Sequence, residues 1–169
     1  PKLKPFDLSK ASGEELLGYL NHLNEWFRKQ AVLAIVWRKQ SDLAPKLSEM
    51  LDDSHGLEAL WALDMLDHAF EGQNKLVQDL RYAAQEKAIR SKDPYLRRWA
   101  VKMVGDAGGL SFCSLDNLHG ETHPEVRAQL RATAKRLPAV LALPRLWAGD
   151  GDDESGHLQL LAWWALESK

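Results

Sequence analysis

A helix start that recurs along the chain constrains this sequence more than anything else in it. It is seen at 24-NEWFRKQAVLAI-35, 93-DPYLRRWAVKMV-104 and 123-HPEVRAQLRATA-134. Each copy opens on a polar residue, reaches an apolar one three positions on, places Arg next and continues as an amphipathic helix. Asp93 and His123 lie 30 residues apart (123 − 93), and the same step leads from Asn24 to Ser54 and from His123 to Asp153. Starts at 24, 54, 93, 123 and 153 follow, with one interval of 39 (93 − 54) absorbed by a longer helix over 74–90. A unit of this length holds a pair of helices and cannot bury its apolar face alone, whereas stacked copies can. The period therefore predicts an all-α chain, a right-handed α-α superhelix of about five helix pairs that runs as one domain over residues 1–169.

The alignment also predicts a core. Helix offsets +3, +7, +10 and +11 share one face. They select Phe27, Ala31, Ala34 and Ile35, then Leu57, Trp61, Asp64 and Met65, then Leu96, Ala100, Met103 and Val104. The last two repeats contribute Val126, Leu130, Thr133 and Ala134, then Gly156, Leu160, Trp163 and Trp164. Only Asp64, Thr133 and Gly156 break the apolar pattern.

Local signals place the helices. Ser12 with Glu15 forms a capping box for a helix over 13–22. Asn24 and Ser41 cap the next two, and a fourth runs from His55 to Phe70. Asp93 caps a helix with Pro94 at its first position, where the missing N–H costs nothing, and Gly105, Gly108 and Gly109 are expected to end it. Further helices are expected over 111–118, 139–148 and 153–168, and His123-Pro124 opens one that Pro138 closes. Period-2 alternation, the mark of strands, is hard to find.

The motif D-P-x-V-R-x-x-A-x-x-x-L, present here as DPYLRRWAVKMV and HPEVRAQLRATA and less faithfully as NEWFRKQAVLAI, resembles the second helix of a HEAT repeat. The likeness covers nearly the whole chain from about residue 12. LNHLNEWFRKQA, LEALWALDML and DDESGHLQLLAWWALES together are similar to the helical-repeat segment of predicted membrane-bound dehydrogenases of planctomycete and verrucomicrobial bacteria. In that family a β-propeller precedes the HEAT repeats and a cytochrome-c-like domain with C-x-x-C-H follows. The resemblance implies an exported, envelope-associated redox parent. Neither a propeller nor C-x-x-C-H occurs in this chain, so only the scaffold segment carries over, without a cofactor. The opening at Pro1, with no Met or signal peptide, and the very apolar last helix read as a piece of a longer protein.

The candidate chemistry is sparse. Arg28, Arg97 and Arg127 share offset +4, with Glu58 and His157 there in the other repeats. They are either a ladder of cations for an anionic partner or, as resemblance to HEAT units implies, pairs that align the stack. His119 and His123 stand in a loop rather than on one helix face, and no zinc spacing occurs. The run 150-DGDDESGH-157 misplaces the glycine and the bidentate acid of a calcium loop, and reads as a turn whose acids favour the next helix start. Cys113, the single cysteine, reads as a core or semi-buried thiol. Asp64, Asp67 and His68 form the best acid/base cluster, with a charge-paired structural role as its other reading. No nucleophile elbow, phosphate-cradling loop or dinucleotide fingerprint occurs, so no catalytic, cofactor or metal residue is assigned.

The face opposite the core is the more informative. In the middle repeats it carries Tyr95, Arg98 and Lys102, then Lys135 with Arg131 beside it. In the first two it carries Trp26 and Leu33, then Leu63 and Leu66, too apolar for a solvated surface. Either another helix covers these positions or they dock a partner. In the fifth repeat Leu158, Ala162 and Ala165 fall on this side. The sequence thus predicts a non-catalytic scaffold for protein or interdomain contacts, with no membrane insertion. The alternative is a HEAT-like nucleic-acid-binding or DNA-glycosylase-type module, which would use the basic strip. A net charge of −2 over 169 residues argues against it.

Overall fold

The computed structural model describes residues 7–107, 115, 118, 120–140, 142 and 156–168. Among the described residues every regular element is helical. The helices are α1 (Gly13–Leu20), α2 (Glu25–Trp37), α3 (Ala44–Glu49), α4 (Gly56–Ala69), α5 (Lys75–Ile89), α6 (Pro94–Asp106), α7 (Pro124–Ala134) and α8 (Gly156–Glu167). The helices expected over 111–118 and 139–148, the acidic run 150–155 and Cys113 lie largely or wholly outside the described residues.

Three start signals act as the sequence suggests, whereas Ser41 lies inside a 3₁₀ turn and neither that turn nor α3 has a side-chain cap. Ser12 accepts from the Glu15 N–H while Glu15 reaches back to the Ser12 N–H, a complete capping box. Asn24 and Asp93 accept from the N–H groups of Trp26 and Tyr95. The stops are less obvious. α2 and α4 both end in the paired 6→1 and 5→2 bonds of a Schellman motif, with Gln40 N–H to Ile35 O (3.1 Å) and Gly72 N–H to Asp67 O (3.2 Å) closing the outer ring. The left-handed residue in each is not glycine but Lys39 (φ 49°) and Glu71 (φ 54°). α3 is flanked by 3₁₀ turns at Ser41–Leu43 and Met50–Asp52, so the helix expected after Ser41 is broken into three short pieces.

The chain divides into two compact units, Pro1–Ala84 and Gln85–Lys169, with the division inside α5. In the first unit α1 packs on α2, α2 on α4, and α3 on α4. Leu16, Leu20, Ile35, Leu47, Leu60, Leu63 and Leu66 are fully buried there. Each is worth about 1.5–3 kcal/mol against an exposed side chain. In the second unit α6 packs on α7 and α7 on α8, around Ala100, Val101, Val104, Val126, Ala134 and Ala165.

The predicted core face holds in three repeats and fails in two. In α6 all four positions are buried, Leu96, Ala100, Met103 and Val104. In α2 Ala31, Ala34 and Ile35 are buried with Phe27 half-buried, and in α7 Val126, Thr133 and Ala134 are buried with Leu130 half-buried. The Thr133 hydroxyl donates to the Val101 carbonyl at 3.3 Å, which explains a polar residue in that seam. α4 instead buries Ala59, Leu60, Ala62 and Leu63, and leaves Met65 exposed and Leu57, Trp61 and Asp64 half-buried. Offsets +3, +7, +10 and +11 counted from Gly56, two residues after the Ser54 reached by a step of 30, select Ala59, Leu63, Leu66 and Asp67, all of them buried. Two residues at about 100° each swing the face by about 200°, enough to turn it outside in. α8 slips in the same way, burying Leu158 and Ala165 and exposing Leu160, Trp163 and Trp164.

Gly105 also departs from expectation. It does not end α6, which runs to Asp106. A Cβ there would lie 2.6 Å from Thr133 Cγ2 and 2.8 Å from Arg136 Nη2, so the missing side chain sets how closely α7 approaches α6.

Candidate functional surfaces

Two of the three repeated arginines, Arg28 and Arg97, resolve into a mechanical device. Arg28 lies one turn into α2, and its Nε–H donates to Glu58 Oε1 at 2.6 Å. Its Nη1 donates to the carbonyls of His22 and Leu23, at 2.9 and 3.1 Å, in the turn between α1 and α2. Arg97, at the same place in α6, repeats this with Ser91 and Lys92 at 2.9 and 3.0 Å. Its acid is Glu121, held bidentately at 2.6 and 3.0 Å. Both pairs are largely buried, with side-chain exposures of 16% and 8% in one and 16% and 6% in the other. A guanidinium committed to three or four acceptors is not a free cation for an anionic ligand. Burial raises the Glu121 carboxyl pKa, but the Arg97 hydrogen bonds, the His123 and Thr122 N–H groups and the Arg97 charge outweigh it, and the net shift is downward.

The acid/base-looking cluster is charge-paired as well. Buried Arg81 of α5 donates to Asp64 at 3.1 Å and forms an ion pair with buried Asp67 at 3.0 Å, without the alignment of a hydrogen bond. Burial opposes the Arg81 charge, but Tyr82, Asp64 and Asp67 more than restore it, and its pKa is raised. His68 is exposed on α4, with Nδ1 2.7 Å from the Asp64 backbone carbonyl and 3.8 Å from its carboxylate. Asp64 is therefore occupied by a permanent cation, a poor arrangement for a general base.

The basic strip loses much of its charge to neighbours. Arg98 pairs with Glu125 at 3.1 Å and Lys102 with Asp106 at 2.6 Å. Arg136, not singled out by the sequence, also pairs with Asp106. Lys135 is exposed with its ammonium 5.8 Å from the centre of the Trp164 ring. Arg131 is buried, so its expected place on a solvated basic face is corrected: it lies on the α7 flank that faces the packing seam. Tyr95 stays 56% exposed, beside His123.

The apolar candidates separate in the same way. Leu63 and Leu66, expected either to be covered by another helix or to dock a partner, are fully buried in α4, because the two-residue slip turns them into the core. Leu33 is half-buried. Trp26 remains 54% exposed, edge-on to Phe27, which in turn stacks with Tyr19 and touches His22. Leu23, at the tip of the turn that Arg28 ties down, is 95% exposed, and Trp37 at the end of α2 is 75% exposed. Neither was singled out by the repeat pattern, since Leu23 precedes the unit and Trp37 follows its last aligned position. Among the described residues α8 carries a stripe of exposed apolar side chains: Leu160, Trp163 and Trp164, at i, i+3 and i+4, with Leu166 beside them.

An open groove of about 650 Å³ lies between the ends of α2 and α4 and the start of α5, and its lining offers no Ser, Thr, Cys or His. No cluster of three or more metal-ligating side chains occurs among the described residues, and none of their helices is long and apolar enough to cross a membrane. No protein-family model, curated protein or solved structure matches this chain.

Proposed function

We propose that the chain is a non-catalytic helical-repeat scaffold of HEAT type that holds protein partners or neighbouring domains, through surfaces outside its repeated core. The observation that carries this reading is the stripe of Leu160, Trp163 and Trp164 turned to solvent along α8. Leaving a tryptophan uncovered forgoes about 1.5–3 kcal/mol of burial. A ridge of that spacing suits an apposed amphipathic helix or domain face. Trp26 and Leu23 form a second, smaller apolar surface at the α1–α2 turn. Two further observations favour a scaffold over an enzyme: the conspicuous arginines are committed to holding helix turns, and Asp64 and Asp67 are committed to Arg81. The pairing of Arg98 and Lys102 with acids also weighs against the nucleic-acid module. From the sequence resemblance, the larger protein is read as an exported dehydrogenase in which this segment spaces a catalytic and an electron-transfer domain.

A pull-down of the separately expressed domains encoded on either side of this segment tests the reading. Association is expected, and is expected to weaken at least tenfold in Trp163→Ser/Trp164→Ser. A chain that binds neither domain contradicts it. A mobility shift of duplex DNA at low salt would instead favour the nucleic-acid alternative.

A further inference from the structure

We draw no further inference here: the strongest candidate, the outward stripe of Leu160, Trp163, Trp164 and Leu166 on α8, is the unpartnered apolar face already described, and nothing in the structure shows what covers it.

Discussion

Two helices, α2 in the N-terminal unit and α6 in the C-terminal unit, use the same arginine in the same way and complete it differently. Arg28 and Arg97 each bind carbonyls five and six residues back, so the donor half is a local device fixed by helix geometry. The acceptor half is not local. Glu58 comes from inside α4, 30 residues on, and Glu121 from the loop before α7, 24 residues on. Glu121 also accepts the His123 N–H at 2.9 Å, so it holds the entry to α7 as well as Arg97. The contrast teaches that the α1–α2 and α5–α6 turns share one tether while an acid from a different kind of position completes each.

The sharpest way to break this comparison is to remove the acids. Taking one partner from a buried pair leaves an uncompensated charge, at a cost of about 3–5 kcal/mol. Glu121→Ala is expected near the top of that range, since Glu121 makes more bonds, and Glu58→Ala about 1 kcal/mol lower, the worth of an additional hydrogen bond. Urea unfolding of both variants checks the order, and equal losses would show that the additional bonds of Glu121 add nothing.

Glycines give the next effect. A Cβ at Gly56 would lie 2.3 Å from the Leu51 carbonyl oxygen, and one at Gly105 would meet side chains. Backbone yields less readily than side chains, so Gly56→Ala should lose about 3 kcal/mol and Gly105→Ala about 1–2. Gly18, inside α1 with open space around it, should instead gain about 0.5–1 kcal/mol on becoming Ala. Thermal melts of the three variants rank them, and a destabilised Gly18→Ala would contradict the packing described for α1.

Acid sharpens the same contrast. The Glu121 pKa is lowered in the folded chain, so its contribution is fully present above the unfolded glutamate pKa and is lost as pH falls through the depressed folded value. Stability followed from neutral pH into the acid range should fall in the wild type. Glu121→Gln should flatten part of that fall, and an unchanged profile would remove Glu121 from the account. The smallest effect belongs to the surface. Trp163→Ser should change stability by less than about 0.5 kcal/mol, because the ring is 61% exposed. A large loss there would place that ring in the core.

The sequence made some of this legible and hid the rest for physical reasons. Repeats anchored on a quoted motif, at Asn24, Asp93 and His123, placed their core faces correctly, because the Arg and the cap fix the helix phase. The two starts reached by adding 30, Ser54 and Asp153, fall short of the helices that begin at Gly56 and Gly156, and helix phase is unforgiving of that. Hence Leu63 and Leu66 were expected outside and Trp163 and Trp164 inside, the reverse of what is found. Glu121 carried no signal, since an acid in a loop reads as solvated until its partner is known. The pairing of Asp64 was expected in kind, but its partner Arg81 lies on a helix that the period had only to lengthen.

The central claim is that the repeated arginine belongs to the scaffold and not to a ligand site. A double-mutant cycle on Arg97→Met and Glu121→Leu, read by equilibrium urea unfolding, tests it most directly. The account predicts that each single variant is destabilised and that the double variant recovers much of the loss, a coupling of about 1.5–3 kcal/mol. Single variants as stable as the wild type, with coupling near zero, would contradict it and return Arg97 to the list of residues free to meet a partner.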